Sequence, residues 1–166
     1  MRNFIFLIDT KCTFNNKTQL FKMSRIEEAL SRFKEDFNCS QSIFSTYAPH
    51  YGLERDKALK ISTGFGGGMA GSGRTCGAVT GAYMVIGLKN GMGVSKDTEA
   101  KEKTNQLISE FSNQFQENNG SLICKEILGC NINTPEGKDH FNQNELFEKK
   151  CLQCVKNAAE ILEEML

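Results

Sequence analysis

Apolar residues recur every three or four positions along most of this chain, a spacing typical of amphipathic helices. The first such stretch, residues 24–48, starts at Ser24 and has Glu27 three residues later, the pattern of a capping box. Its apolar positions are Ile26, Leu30, Phe33, Phe37 and Phe44. The spacing lapses within "FNCSQ", which predicts that the helix splits near Asn38, and Pro49 is expected to end it.

The same spacing predicts further helices downstream. They are expected over a short amphipathic stretch stopped by Gly64, a nearly apolar segment at 76–91, a long helix capped by Asp97, a short turn of helix after Ser121, and a final helix over 144–166. The segment at 76–91 is apolar on all sides, so we expect it to be buried and central. The stretch around Pro135 and Gly137 is polar and is predicted to be a loop.

No segment alternates apolar and polar residues convincingly, so the predicted fold is all-α. We expect a compact bundle of about five or six helices, with a glycine-rich loop before the buried central helix. Residues 24–166 form a single helical domain in this interpretation. Residues 1–22 contain an apolar run at 4–8 that is too short for a secretory signal. We interpret them as a leader of unclear status, either disordered or a start assigned upstream of Met23.

Charge and composition narrow the function classes. Lys and Arg number 20, as do Asp and Glu, and no basic stripe stands out, which argues against a nucleic-acid binder. No apolar run approaches the roughly 18 residues of a membrane span. The chain has seven cysteines and no signal peptide, so we expect a reducing, cytoplasmic location with metal or redox chemistry. A homodimer that packs through the small residues of the apolar central helix is a further alternative that the sequence leaves open.

One stretch, "STGFGGGMAGSGRTCGAVTGAY", holds eight of the 15 glycines beside a cysteine. A phosphate cradle is one interpretation, because Gly66, Gly68 and Gly71 satisfy G-x-G-x-x-G. Arg74, however, stands where a P-loop requires lysine, and the preceding segment is charged and helical where both motifs require a strand. A plain turn is another interpretation, since the small residues after the loop, Gly77 among them, leave a smooth face for close helix packing.

A redox or metal site is the third interpretation, and it accounts for the glycine and the thiol together. Cys76 lies at the predicted start of the central helix, where unpaired N–H groups and the helix dipole stabilise a thiolate. Arg74 would add positive charge. Backbone amides of the nearby glycines would donate to sulfur or cofactor and tune its potential. These are Gly66, Gly67, Gly68, Gly71, Gly73 and Gly77.

The order of the cysteines resembles a known family. The segments "NCSQS", "TCGAVTG", "SLICKEILG" and "CLQCVKNAAEIL" follow one another, with "GFGGGMAGSG" before the second. Over about residues 24–166 this is similar to the C_GCAxxG_C_C family, whose members are regarded as helical and redox-active. Similar domains occur in split-Soret cytochromes, where a cysteine-bound iron–sulfur centre is implied. Thr75 stands where the family name has glycine, a mild departure.

The resemblance implies four site cysteines, Cys39, Cys76, Cys124 and Cys151. Cys12, Cys130 and Cys154 fall outside the pattern. Cys154 sits on the packing side of the last helix and is interpreted as a core residue. With only two histidines in the chain, soft thiolate ligands favour an iron–sulfur cluster, zinc or Cu(I). The four cysteines lie far apart in the sequence, so their spacing alone does not show whether they come together at one site.

Three hypotheses follow. The first is a redox-active protein that binds an iron–sulfur cluster, or another thiolate-ligated metal such as zinc. It would serve in electron transfer or redox sensing, and the sequence does not identify its electron donor or acceptor. The second is a metal-free dithiol–disulfide oxidoreductase with Cys76 as the nucleophile. The third is a helical interaction or structural domain whose cysteines pack in the core.

Overall fold

The computed structural model describes residues 23–166, and the regular elements in that range are helical. The leader predicted over residues 1–22, with Cys12, lies outside the described residues. The α-helices are α1 (Arg25–Lys34), α2 (Cys39–Tyr47), α3 (Arg55–Ser62), α4 (Gly77–Asn90), α5 (Thr98–Asn119), α6 (Cys124–Leu128), α7 (Pro135–Gln143) and α8 (Leu152–Met165). The all-α prediction is therefore confirmed, with eight α-helices in the described range where five or six were expected.

The boundary between α1 and α2 positions the first site cysteine. The capping box predicted at Ser24 begins α1. A second capping box begins α2, where Asn38 Oδ1 accepts hydrogen bonds from the N–H groups of Ser40 and Gln41, both at 3.0 Å. The lapse in apolar spacing therefore marks a new helix start, as predicted, and it makes Cys39 the first residue of α2.

The central helix of the bundle is α4, which packs against α2, α5 and α8. Its fully buried apolar side chains are Ala78, Val79, Ala82, Val85 and Ile86. Gly77 and Gly81 lie four residues apart and face α2. A Cβ atom at Gly81 would lie 2.9 Å from the Ser40 carbonyl oxygen and 3.0 Å from Ile43 Cβ. The backbones of α2 and α4 approach closely because these positions carry no side chain.

Two amphipathic helices complete the core around α4. Helix α5 buries Phe111 and Phe115, and α8 buries a stripe that consists of Cys154, Val155, Ala158, Ala159, Ile161 and Leu162. The buried Tyr47 hydroxyl of α2 lies 2.8 Å from Glu163 Oε1 on α8, and Arg25 of α1 pairs with the same carboxylate at 2.7 Å. None of the helices within residues 23–166 is long and apolar enough to cross a membrane.

The polar stretch around Pro135 is helical, so the loop predicted there is wrong. Helix α7 starts after Thr134, whose Oγ1 accepts the N–H of Gly137 at 3.1 Å. Pro135 occupies the first helical position, where its missing N–H removes no helical hydrogen bond. A threonine followed by proline is typical of a helix start, but the few apolar residues after it give no helical spacing to support that prediction.

Candidate functional site: a cavity lined by cysteines

The glycine-rich loop before α4 winds in the left-handed direction. Five consecutive residues have positive φ angles: Gly67 (60°), Gly68 (70°), Met69 (67°), Ala70 (52°) and Gly71 (77°). This region costs a residue with a side chain about 1–2 kcal/mol, whereas glycine adopts it freely. A Cβ atom at Gly68 would also lie 2.6 Å from a backbone nitrogen of the same loop. The shape of the backbone therefore accounts for part of the glycine content.

The loop uses some of its amides to hold itself together. The N–H of Gly71 donates to the carbonyl of Gly66, and the N–H of Gly73 donates to the carbonyl of Gly67, both at 3.2 Å. The amides of Gly71 and Gly73 are thus engaged inside the loop. Gly67 and Gly77 are the two loop-region glycines that line the neighbouring cavity.

A short backbone pairing joins the end of the loop to the start of α6. The Cys76 N–H donates to the Leu122 carbonyl at 2.8 Å, and the Cys124 N–H donates to the Arg74 carbonyl at 2.6 Å. Thr75 pairs with Ile123 as an isolated antiparallel bridge between them. These bonds hold Cys76 and Cys124 side by side although 48 positions separate them in the sequence.

Two glycines bring Cys39 next to Cys76. A Cβ atom at Gly77 would lie 3.0 Å from Cys39 Cβ, and a Cβ atom at Gly66 would overlap the Asn38 side chain, 2.4 Å from its Cγ. The first distance is tighter than most real Cβ contacts in packed interiors, and the second is shorter than real Cβ atoms show. The glycines around Cys76 therefore permit the N-termini of α2 and α4 to meet, each with a cysteine at its end.

The last two cysteines of the chain lie one turn apart. A π-helical turn at Phe147–Cys151 leads directly into α8, so Cys151 ends the π-helical turn and Cys154 lies in the first turn of α8. Residues three apart on a helix share a face. Isolated π-helical turns inside longer helices occur frequently at functional sites, and this one places both thiols toward the N-termini of α2 and α4.

The thiols meet at one cavity of about 260 Å³. The cysteines that line it are Cys39, Cys76, Cys124, Cys151 and Cys154. Its other walls are mainly apolar, and Phe33 and Phe147 stack there with ring centroids 4.5 Å apart. The structure thus brings together the four cysteines named from the sequence, and it adds a fifth.

Cys154 is the member of this set that the sequence analysis did not assign to the site. It is 2% exposed and packs in the core, as predicted, but it also lines the cavity. Its position three residues after Cys151 was the available signal. Cys130 does not line the cavity, although it packs beside the small cluster of Cys124, Leu128 and Leu146.

Cys76 is the thiol best placed to carry negative charge. It is the N-cap of α4. Hydrogen bonds from the Cys154 thiol and from the N–H groups of Ala78 and Val79 lower the pKa of Cys76, although its burial opposes them. The positive end of the α4 dipole acts in the same direction. The Arg74 side chain, which was expected to add positive charge, is exposed to solvent.

Cys39 and Cys124 are shifted in the opposite direction. A hydrogen bond with Cys151 raises the pKa of Cys39 well above its ordinary value, and burial and the neighbouring Cys76 add to the effect. Burial raises the pKa of Cys124 to about 12, with further contributions from Cys76 and Cys151. Of Cys39, Cys76 and Cys124 in the metal-free protein, Cys76 is therefore the first to lose its proton as the pH rises.

We expect iodoacetamide to label Cys76 well before Cys124 in reduced, metal-free protein at neutral pH. The two thiols are 5% and 7% exposed, so access does not separate them, and the thiolate is the reactive form. Since the pKa of Cys124 is about 12, its labelling rate should keep rising at alkaline pH after that of Cys76 has levelled off. Peptide mass spectrometry against time checks this, and equal rates at neutral pH would contradict it.

The donors that line the cavity are mainly thiols. A single zinc ion holds four ligands around one point, with sulfur at about 2.3 Å. Within residues 23–166, no three His, Cys, Asp or Glu side chains are grouped in a way that would hold one ion. The lining holds five thiols, one carboxylate (Asp36) and no histidine. Soft thiolates are the residues that hold iron–sulfur clusters in proteins, so the chemistry of this donor set is compatible with such a group.

A family model described as "Putative redox-active protein (C_GCAxxG_C_C)" matches residues 37–165. No curated protein and no solved structure matches the chain. The matched range contains the six cysteines that the structure describes, and it starts after α1, leaving out residues 1–36.

Proposed function

The chain belongs to the C_GCAxxG_C_C family, which is described as redox-active, and we propose that it holds an iron–sulfur cluster in the cysteine-lined cavity. The ligands in this proposal are Cys39, Cys76, Cys124 and Cys151. The protein would pass single electrons to and from a donor or acceptor, or sense the redox state of its surroundings. Such a cluster supplies one-electron chemistry when it is bound.

The observation that carries the proposal is the convergence of the four thiols. They come from the start of α2, the start of α4, the start of α6 and the turn before α8, and all four line the same cavity. Packing alone does not require four distant cysteines at one cavity. Helical bundles build metal sites in this way, from side chains on facing helices.

The surrounding residues would tune such a centre. Cys76 accepts N–H donors from Ala78 and Val79, and donated hydrogen bonds stabilise the more negative, reduced state. The stacked rings of Phe33 and Phe147 would keep water from the sulfurs, because an apolar wall limits solvent access and sets the local dielectric.

A dithiol–disulfide oxidoreductase is the second candidate, and the contact between Cys76 and Cys154 favours it. The Cys76 thiolate would attack a substrate disulfide and release one substrate thiolate. Cys154, after losing its proton, would then attack the Cys76 sulfur of the mixed disulfide and release the second. Two electrons would pass from the protein dithiol to the substrate, and a Cys76–Cys154 disulfide would remain.

The metal content of protein purified without oxygen separates these two functions. The cluster proposal predicts brown protein with iron and acid-labile sulfide in near-equal amounts and little zinc. Colourless protein without metal that forms a reversible Cys76–Cys154 disulfide would support the second candidate. Protein that neither binds metal nor pairs its cysteines would contradict both.

A further inference from the structure

We propose that residues 131–144, the segment that contains α7, form a lid that opens and closes over the cysteine-lined cavity and so controls access to its thiols. The inference goes beyond the proposed function, because it applies to a cavity that binds a cluster and equally to one that works as a dithiol. Ile132 and Phe141 of this segment line the cavity. Both side chains are half-buried, which places them where the cavity meets solvent.

The lid is a unit that is hydrogen-bonded to itself. The Asn131 carbonyl accepts the N–H of Thr134 at 3.1 Å, and Thr134 Oγ1 accepts the N–H of Gly137 at 3.1 Å. A Cβ atom at Gly137 would overlap the Asn131 carbonyl oxygen, so the loop folds onto the first turn of α7 because a glycine is there. The segment can therefore move as one body and keep these bonds.

Apolar contacts hold the lid against the rest of the protein. Among residues 23–166, no hydrogen bond or ion pair joins residues 131–144 to α1–α5 or α8, and α7 packs extensively against no other helix in that range. Ile132 and Phe141 pack instead against a small apolar cluster that is separate from the main core and consists of Cys124, Leu128 and Leu146. Segments held by few buried contacts open at low cost while the core stays folded.

A left-handed residue lies at each end of the lid. Gly129, shortly before it, has a φ angle of 69°, and Glu145, directly after it, has a φ angle of 54°. Glycine enters and leaves this region freely, whereas glutamate adopts it at a cost. A Cβ atom at Gly129 would meet no atom within 4 Å, so no packing restrains the backbone there. A few end residues that change their backbone angles are sufficient for a hinge, and these two are the hinges of the lid.

The edge of the lid meets the glycine-rich loop at Ile132. A Cβ atom at Gly67 would lie 3.3 Å from Ile132 Cδ1, and both residues line the cavity. The loop is fixed by its own hydrogen bonds and by its pairing with residues 122–124, so the lid is the side that moves. Opening at this contact would uncover Cys76 and Cys124, which are 5% and 7% exposed when the lid is closed.

Four proteins test the lid: the wild-type chain, Ile132→Ala, Gly129→Ala and Ile61→Ala. Ile132→Ala removes the contact with the glycine-rich loop. Gly129→Ala leaves the cavity lining intact and penalises only the left-handed backbone of the hinge. Ile61 is 51% exposed on α3 and does not line the cavity, so Ile61→Ala is the matched control. Metal-free, reduced protein is labelled at neutral pH with fluorescein maleimide, which is bulky, and with iodoacetamide, which is small.

We expect fluorescein maleimide to label Cys76 about tenfold faster in Ile132→Ala and in Gly129→Ala than in the wild-type chain. This is the shift toward the open lid expected when a half-buried isoleucine is truncated or an alanine is placed in the left-handed region. Iodoacetamide labelling should rise less, because the smaller reagent needs a narrower opening. Peptide mass spectrometry compares the same cysteine between variants, so its intrinsic reactivity cancels. Ile61→Ala should label as the wild-type chain does.

A rate in either lid variant no higher than that of Ile61→Ala would overturn the proposal. Amide hydrogen exchange in α4 distinguishes lid opening from loss of the core. It should stay as slow in the lid variants as in the wild-type chain. If exchange in α4 accelerates as much as thiol labelling does, the thiols are exposed by unfolding of the core, and the proposal fails in that case too.

These measurements are made without metal, so they are independent of the proposed cluster. If the wild-type chain binds no iron when purified without oxygen, the cluster proposal fails, and the labelling rates still decide whether residues 131–144 act as a lid. If iron binds and all four metal-free proteins label at the same rate, the cluster stands and the lid does not.

Discussion

Replacing Cys76 with serine is expected to lower the iron and sulfide content of anaerobically purified protein by at least about tenfold. A serine hydroxyl is a hard ligand that stays protonated at neutral pH, so it replaces a thiolate poorly at a soft metal site. Loss of even an outer-shell partner costs about 10–100-fold in metal affinity, and loss of a ligand should cost no less.

The position of Cys76 separates loss of the ligand from loss of the fold. Cys76 is the N-cap of α4, and the N–H groups of Ala78 and Val79 that donate to its sulfur can donate to a serine hydroxyl in its place. Serine is among the preferred N-cap residues, so α4 should form at least as well in the variant. Cys130→Ser is the matched control, because Cys130 does not line the cavity. Equal iron content in Cys76→Ser and Cys130→Ser would remove Cys76 from the ligand set.

Replacing Gly81 with alanine is expected to destabilise the chain by about 1–3 kcal/mol, the usual cost of overpacking a core. The added Cβ would lie 2.9 Å from the Ser40 carbonyl oxygen and 3.0 Å from Ile43 Cβ, and the backbone oxygen cannot turn aside as a flexible side chain would. Helices α2 and α4 must separate to relieve the contact, which moves Cys39 away from Cys76.

Gly87→Ala on the same helix provides the control for this substitution. A Cβ atom at Gly87 meets no atom within 4 Å, so alanine should stabilise α4 there by up to about 1 kcal/mol. Urea denaturation followed by circular dichroism measures both variants. The free energy of unfolding should fall in Gly81→Ala and rise slightly in Gly87→Ala. A Gly81→Ala protein as stable as the wild type would show that the contact between α2 and α4 is not tight.

The helix starts of this fold were largely predictable, because they depend on local chemistry. The side chains of Ser24 and Asn38 themselves cap the helices that follow. The apolar segment at 76–91 is predicted to be buried because it lacks a polar face. Helix α7 was missed for the opposite reason. Its start depends on Thr134 and Pro135, two residues that also occur in loops, and few apolar positions follow them.

The glycine-rich loop was predicted only in outline. Its place before α4 and its closeness to a thiol followed from the sequence. Its left-handed course did not, because Met69 and Ala70 share that conformation and nothing in their chemistry announces it. The internal use of the Gly71 and Gly73 amides also depends on the folded path of the loop.

The cysteine-lined cavity could not be predicted from local sequence patterns. The order of the cysteines and the resemblance to a family named Cys39, Cys76, Cys124 and Cys151, but tertiary packing decides whether thiols so far apart in sequence meet. The fifth thiol illustrates the same point. Cys154 was interpreted as core from its position on α8, and it is buried, yet the same burial places it against Cys76.

X-ray absorption at the iron and zinc edges of anaerobically purified protein tests whether cysteine thiolates hold an iron–sulfur cluster in the cavity. A bound cluster predicts iron with sulfur as its nearest neighbours and other iron atoms beyond them. Nitrogen or oxygen bound to the iron, zinc in place of iron, or no bound metal would contradict the proposed cluster.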